Sequence, residues 1–146
     1  MKNFIFFSLI TILLSSCKGD DSNCCTPPMV TNCNKFVNIN EVHFNEVNTT
    51  NYIITDVVLI DNCLSILISS SGCNAQNWDM NFIVSPNVIE TLPLQYQGKI
   101  ELINDEACLA VLEKVMTFDL VPLQVAGQNQ IQINIQGWNS NIIYNY

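Results

Sequence analysis

The chain has 146 residues and a formal net charge of −8, with 13 acidic residues against 5 Lys and no Arg. That balance excludes nucleic acid recognition, which needs a basic patch to neutralise phosphates, and it removes the Arg fork that clamps phosphate and carboxylate ligands. Charged residues are only 12 %, so neutral Asn and Gln amides supply much of the polar surface.

From the N-terminus, Lys2 precedes an apolar run from Phe4 to Leu14. At about eleven residues the run is far short of the ~20 that span a bilayer. It closes on Leu14-Ser15-Ser16-Cys17. Two small residues before a Cys resemble the cleavage point of a bacterial lipoprotein signal peptide. The resemblance implies that residues 1–16 are removed and that Cys17 carries a diacylglyceryl thioether and an N-acyl chain. Two or more acyl chains hold a protein stably on a membrane. The expected location is therefore the cell envelope, as an outer-membrane lipoprotein.

Residues 17–34 read as the lipidated Cys and a Cys-containing tether. Lys18-Gly19-Asp20-Asp21 resembles the export tether of Bacteroidetes-type surface lipoproteins, which implies display on the cell surface. A solvated linker has the same composition. The rest of the chain is long enough for one domain with a real core and not comfortably for two.

Beyond Cys17 stand Cys24, Cys25, Cys33, Cys63, Cys73 and Cys108. An even number in an oxidising compartment reads as disulfides, whose connectivity the sequence alone leaves open. Adjacent Cys24 and Cys25 are expected to reach elsewhere rather than bridge each other. With no C-x-x-C and a lone His43, no metal site is expected.

Further along, strand follows strand. Val37 and Ile39 alternate with Asn38 and Asn40 as a short first strand, and Asn45 to Asn51 reads as a polar loop. Residues 52–60 are apolar on both parities, which predicts a strand covered on both faces. Asp61-Asn62 predicts a tight hairpin into 63–69, with Leu64, Ile66 and Ile68 inward and Ser70-Ser71-Gly72 as a break. Trp78, Met80, Phe82 and Val84 share one face, which places Trp78 in the core. Pro86 and Pro93 bracket a loop. Leu94, Tyr96, Ile100 and Leu102 alternate with polar partners. Residues 107–112 could form one helical turn before a strand-like stretch from Val115. Residues 130–136 alternate cleanly, and Ile142, Tyr144 and Tyr146 close the chain.

This pattern predicts an all-β domain over 35–146, an antiparallel β-sandwich of Ig-like or flattened-barrel form with about seven or eight strands. Four short stretches carry a further resemblance: 61–66 (DNCLSI), 71–73 (SGC), 106–110 (EACLA) and 117–123 (TFDLVPL). They resemble uncharacterised small Bacteroidetes-type lipoproteins over roughly residues 50–146. The resemblance implies a β-rich fold in which Cys73 pairs with Cys108, and it implies no activity. Cys33–Cys63 is the second expected pair.

Catalysis is not expected. A Ser or Cys nucleophile needs a nearby base, His43 is the only His, and no G-x-S-x-G occurs. Asp56, Asp61, Asp79, Glu90, Glu101 and Asp119 have the spacing of strand faces and turn ends. Asn104-Asp105-Glu106 matches no calcium loop, and no cofactor is implied. A binding role is expected instead, with Trp138 in the Gly137-Trp138-Asn139 turn as the candidate contact for a glycan or protein ligand. The alternative is assembly: if 130–136 lies at a sheet edge, its Gln and Asn lack the Lys that normally guards such a strand.

Overall fold

Alternating apolar residues build two β-sheets that face each other across one core. The structure is a computed structural model and describes residues 32–146. The expected signal segment, Cys17, Cys24, Cys25 and the tether up to residue 31 lie outside the described residues.

Nine strands occur among the described residues: β1 (Lys35–Phe36), β2 (Asn38–Ile39), β3 (Ile53–Ile60), β4 (Cys63–Gly72), β5 (Asp79–Val84), β6 (Leu94–Ile103), β7 (Ala110–Asp119), β8 (Gln130–Ile135) and β9 (Ile142–Asn145). A helix α1 (Glu41–Glu46) and a 3-10 turn (Val121–Leu123) complete the elements. The front sheet has the order β1-β7-β4-β3 and the back sheet the order β2-β5-β6-β8-β9.

The fold is mostly β as expected, but the sheets are mixed rather than antiparallel. β1 pairs with β7, β2 with β5 and β6 with β8 in parallel. The connectivity explains the last case. β7 follows β6 in sequence yet joins the front sheet, so the chain returns to β8 running in the same direction as β6. β1 and β2 are one extended stretch that changes sheet at the buried Val37. No strand ladder joins the two sheets among the described residues, so they do not close into a barrel.

The inward residues match the alternation. Leu64, Ile66 and Ile68 from β4 meet Met80, Phe82, Ile100, Ile131 and Ile133 from the back sheet in one buried cluster. Phe82 and Phe118 touch across the two sheets with ring centroids 5.8 Å apart. Trp78 is buried as expected. Gly98 faces inward on β6 and leaves the space that the Phe82 ring fills, so a Cβ there would collide with it.

Several local expectations are corrected. β3 is not covered on both faces: it pairs only with β4 among the described residues, and Ile53 and Ile60 are 71 % and 64 % exposed. A β-bulge between Ile54 and Asp56 shifts its phase, which accounts for apolar residues on both parities. β4 does not break at Ser70. Ser70 Oγ donates to Asn51 O at 2.5 Å, and the strand runs on to Gly72 opposite Ala110. That pairing holds 110–112 extended, so no helical turn forms there. The helix lies instead at Glu41–Glu46, where the Asn40 side chain caps it by accepting from His43 N.

Two disulfides staple the domain: Cys73–Cys108 and Cys33–Cys63, the two expected pairs. They sit at opposite ends of the front sheet. Cys63 opens β4 beside the Asp61-Asn62 hairpin, whereas Cys73 follows its far end. The hairpin forms as expected, with Asp61 in the left-handed region at φ 51°.

Candidate functional site

Trp138 sits in the turn between β8 and β9, where its N–H donates to Ile135 O at 3.0 Å and Gly137 takes the positive φ of 89° that the turn needs. Its ring is partly buried and packs against the core. The exposed part lines a depression with Ile53, Ile54, Gly137, Asn139 and Ser140. A second depression adds Thr49, Tyr52 and Gln136, and a third adds Ser69 to Ser71 and Val111. All three share Ile53 and are shallow, between about 350 and 430 Å³.

The resulting surface is drawn from three separate segments, and the segment before β3 fixes it. Tyr52 Oη donates to Ile100 O at 2.6 Å and the Asn51 amide donates to Leu102 O at 3.1 Å, so residues 51–52 reach over to the back sheet. Burial pushes the Tyr52 phenol up to about 12, only partly countered by its bond to Ile100, so it remains a neutral donor. Gln136 donates to Thr49 Oγ1 at 3.0 Å. None of the residues lining the three depressions is an Asp, Glu, Lys or His. The linings themselves are apolar with neutral hydroxyls and amides, while Glu113 lies opposite Ser69 and Glu106 beside Gly72.

The outer face of the back sheet is different. Lys35 Nζ donates to Asp79 Oδ2 at 2.6 Å and to Asn81 Oδ1 at 2.9 Å. Asn81 Nδ2 donates to Glu101 Oε2 at 2.7 Å, and His43 Nε2 lies 2.9 Å from Glu101 Oε1. The Lys35 hydrogen bond holds the Asp79 carboxyl below its ordinary range. For Glu101 partial burial pushes upward, but the bonds from Asn81 and His43 outweigh it and the carboxyl lies low. Both acids are thus ionised members of a surface network. α1 is pinned over this face by Lys99, whose Nζ donates to Phe44 O at 2.8 Å and lies 4.4 Å from the Phe44 ring centroid.

The remaining acids also have local duties. Asp119 is buried and accepts from Val121 N at 2.9 Å. Glu106, in the Asn104-Asp105-Glu106 turn, accepts from the backbone N–H groups of Cys73, Asn74 and Ala75 and from Trp78 Nε1. Partial burial raises its carboxyl, but these four donors outweigh that and hold it below the usual range. The nest of N–H groups is therefore filled by the chain's own carboxylate. Among the described residues, no three His, Cys, Asp or Glu side chains gather as a metal site.

Strand 130–136 does not offer an edge. β8 lies between β6 and β9, and its outward Gln132 and Asn134 bond to Gln95 of β6. Sequence reasoning singled out Trp138 but not Ile53 and Tyr52, which line the depressions beside it. Their signal was weak, because the surface forms only when residues 49–54, 69–71 and 136–140 meet.

These features define a class: a mostly β domain of two open, mixed sheets. No known protein family and no curated protein matches the chain. Two solved structures share the fold. A Bacteroides vulgatus ATCC 8482 protein of unknown function, DUF1344, superposes with a TM-score of 0.52 at 14 % identity, covering 77 % of this chain and 56 % of that one. A Parabacteroides distasonis ATCC 8503 protein described as toxin-related superposes with a TM-score of 0.51 at 18 % identity, covering 76 % and 60 %. The chain thus spans less than two thirds of the length of either, and the likeness is one of fold.

Proposed function

We propose that the protein is a lipid-anchored cell-envelope lipoprotein, displayed at the surface, whose two sheets form a β-sandwich that binds a ligand without catalysis. The lipid on Cys17 anchors it, the segment before Cys33 tethers it, and the end around Ile53 and Trp138 meets an uncharged glycan or protein segment. The Bacteroidetes-type lipoprotein resemblance belongs to the same reading.

One observation carries it. The chain enters the domain at Cys33, which is bonded to Cys63 beside the hairpin that ends β3. The Trp138 surface lies at the other end of the same strand, around Ile53. Eight residues of strand separate the two ends, roughly 23 Å at 3.3 Å per step. A tether attached at one end leaves the other facing away from the membrane. The lining supports the ligand class: a site with hydroxyls, amides, Ile and Trp but no charge favours neutral partners, since a charged one would lose water with nothing to replace it.

The test is tryptophan fluorescence of the purified protein titrated with neutral oligosaccharides and uncharged peptides. The expected result is a saturable change with one of them that Trp138→Ala abolishes while Trp78 emission persists. A flat response across the panel would contradict the binding reading.

A further inference from the structure

The two disulfides differ in what surrounds them. Cys33 is buried and Cys63 half-buried, whereas Cys73 and Cys108 are both exposed. Cys108 belongs to the loop 104–109 between β6 and β7. Among the described residues, three side chains of this loop bond to the rest, all to the stretch 71–78. Asn104 Nδ2 donates to Ser71 O at 2.8 Å, Glu106 Oε2 accepts from Cys73, Asn74, Ala75 and Trp78, and Cys108 is bonded to Cys73. Ala107 and Leu109 are exposed, so burial adds little to these bonds. An exposed disulfide is the labile kind, because an attacking thiolate must reach one of the sulfurs. We infer that Cys73–Cys108 is a redox-sensitive lock: a dithiol reductant opens it while Cys33–Cys63 stays closed, and opening frees the loop from the 73–75 turn.

The step is a thiol–disulfide exchange. One thiolate of the dithiol attacks a sulfur of the pair, the S–S bond breaks and a mixed disulfide forms. The second thiol of the reagent then displaces the chain from that mixed disulfide. The chain gains two electrons and two protons as two thiols, and the dithiol leaves as its own disulfide. Glu106 holds the lock shut from two residues away. Carboxylate and disulfide fasten the same loop to the same turn, so each keeps the other's partners close, and the coupling is reciprocal. The turn has an anchor of its own, since Lys114 Nζ donates to Ala75 O at 3.2 Å and to Gln76 O at 3.4 Å. Opening therefore moves the loop and leaves the buried Trp78 in place. The lock borders the depression lined by Ser71 and Val111, because Asn104 holds Ser71 and β7 starts directly after the loop. As control of ligand capture the lock rests on the binding reading above; as a lock it does not.

Titrating the purified full chain with dithiothreitol, trapping thiols by alkylation and mapping the peptides by mass reads each disulfide separately. Cys73–Cys108 should open at a lower concentration than Cys33–Cys63. Hydrogen exchange on that partly reduced chain should rise at residues 73–75 and 104–109 and stay unchanged at 63–68. Glu106→Gln replaces a charged acceptor by a neutral one. It should lower the dithiothreitol needed for Cys73–Cys108 at least about fivefold, the lower end of coupling between two sites, and leave Cys33–Cys63 unmoved. No arm uses a ligand, so failure of the binding reading leaves the test intact, and the wild-type arms stand if the variant folds poorly. Cys33–Cys63 opening first, both disulfides opening together, or unchanged exchange at 104–109 after reduction would overturn the inference. So would a Glu106→Gln variant in which Cys73–Cys108 resists as before, or in which both disulfides weaken equally.

Discussion

Glu106 joins two parts of the domain through a single oxygen. Its Oε2 receives three backbone N–H groups of the Cys73–Ala75 turn and the Trp78 indole, so one carboxylate orders the loop between β4 and β5. The carboxyl lies below its ordinary value of 4.5. Its contribution to stability is therefore complete above the unfolded value and is lost as pH falls through the lower folded one. The melting temperature of the wild type should decline from about pH 5 downward, and Glu106→Gln should start lower at neutral pH with a flatter decline. Equal slopes would show that the N–H nest does not depend on the charge. Gly98 acts through its missing side chain. Gly98→Ala drives a methyl into the Phe82 ring and should cost about 1–3 kcal/mol, read as a lower urea midpoint with unchanged slope.

At the level of elements, the disulfides hold what the sheets alone do not. Cys73–Cys108 closes the β4–β5 turn onto the loop before β7, across a separation of 35 residues. Replacing both Cys by Ala should lower stability by about 3–4 kcal/mol, because the cross-link chiefly restricts the unfolded chain; thermal denaturation of the variant beside the wild type checks this. Much of the element plan was legible. Strict alternation in 63–69, 78–84 and 94–102 named the inward residues because each strand has one face on the core. Strand direction was not legible, since β6 and β8 are parallel only because β7 leaves for the other sheet. Nor was α1, a helix of 6 residues with no buried side chain, whose trace in sequence is the Asn40 cap. The apolar run of 52–60 misled because a bulge and an edge position, rather than two covered faces, account for it.

For the whole molecule, the arrangement of ends matters more than any single residue. Trp138 could be picked out beside its glycine, but the uncharged surface around Ile53 could not, because three distant segments compose it and each alone reads as a loop. Lys35, Asp79, Glu101 and His43 form a network on the outer back sheet, whereas Glu106 is bonded within the turn that adjoins Ser71. The depressions around Ile53 lie at the end of β3 opposite Cys63, where the described chain enters the front sheet. The proposed role depends on that arrival being a membrane tether. Fractionation of cells carrying the wild type or Cys17→Ser tests it most directly: the account predicts that the wild type sediments with the outer membrane and the variant moves to the soluble fraction. A wild type that is itself soluble, or a variant that stays with the membrane, would contradict the account.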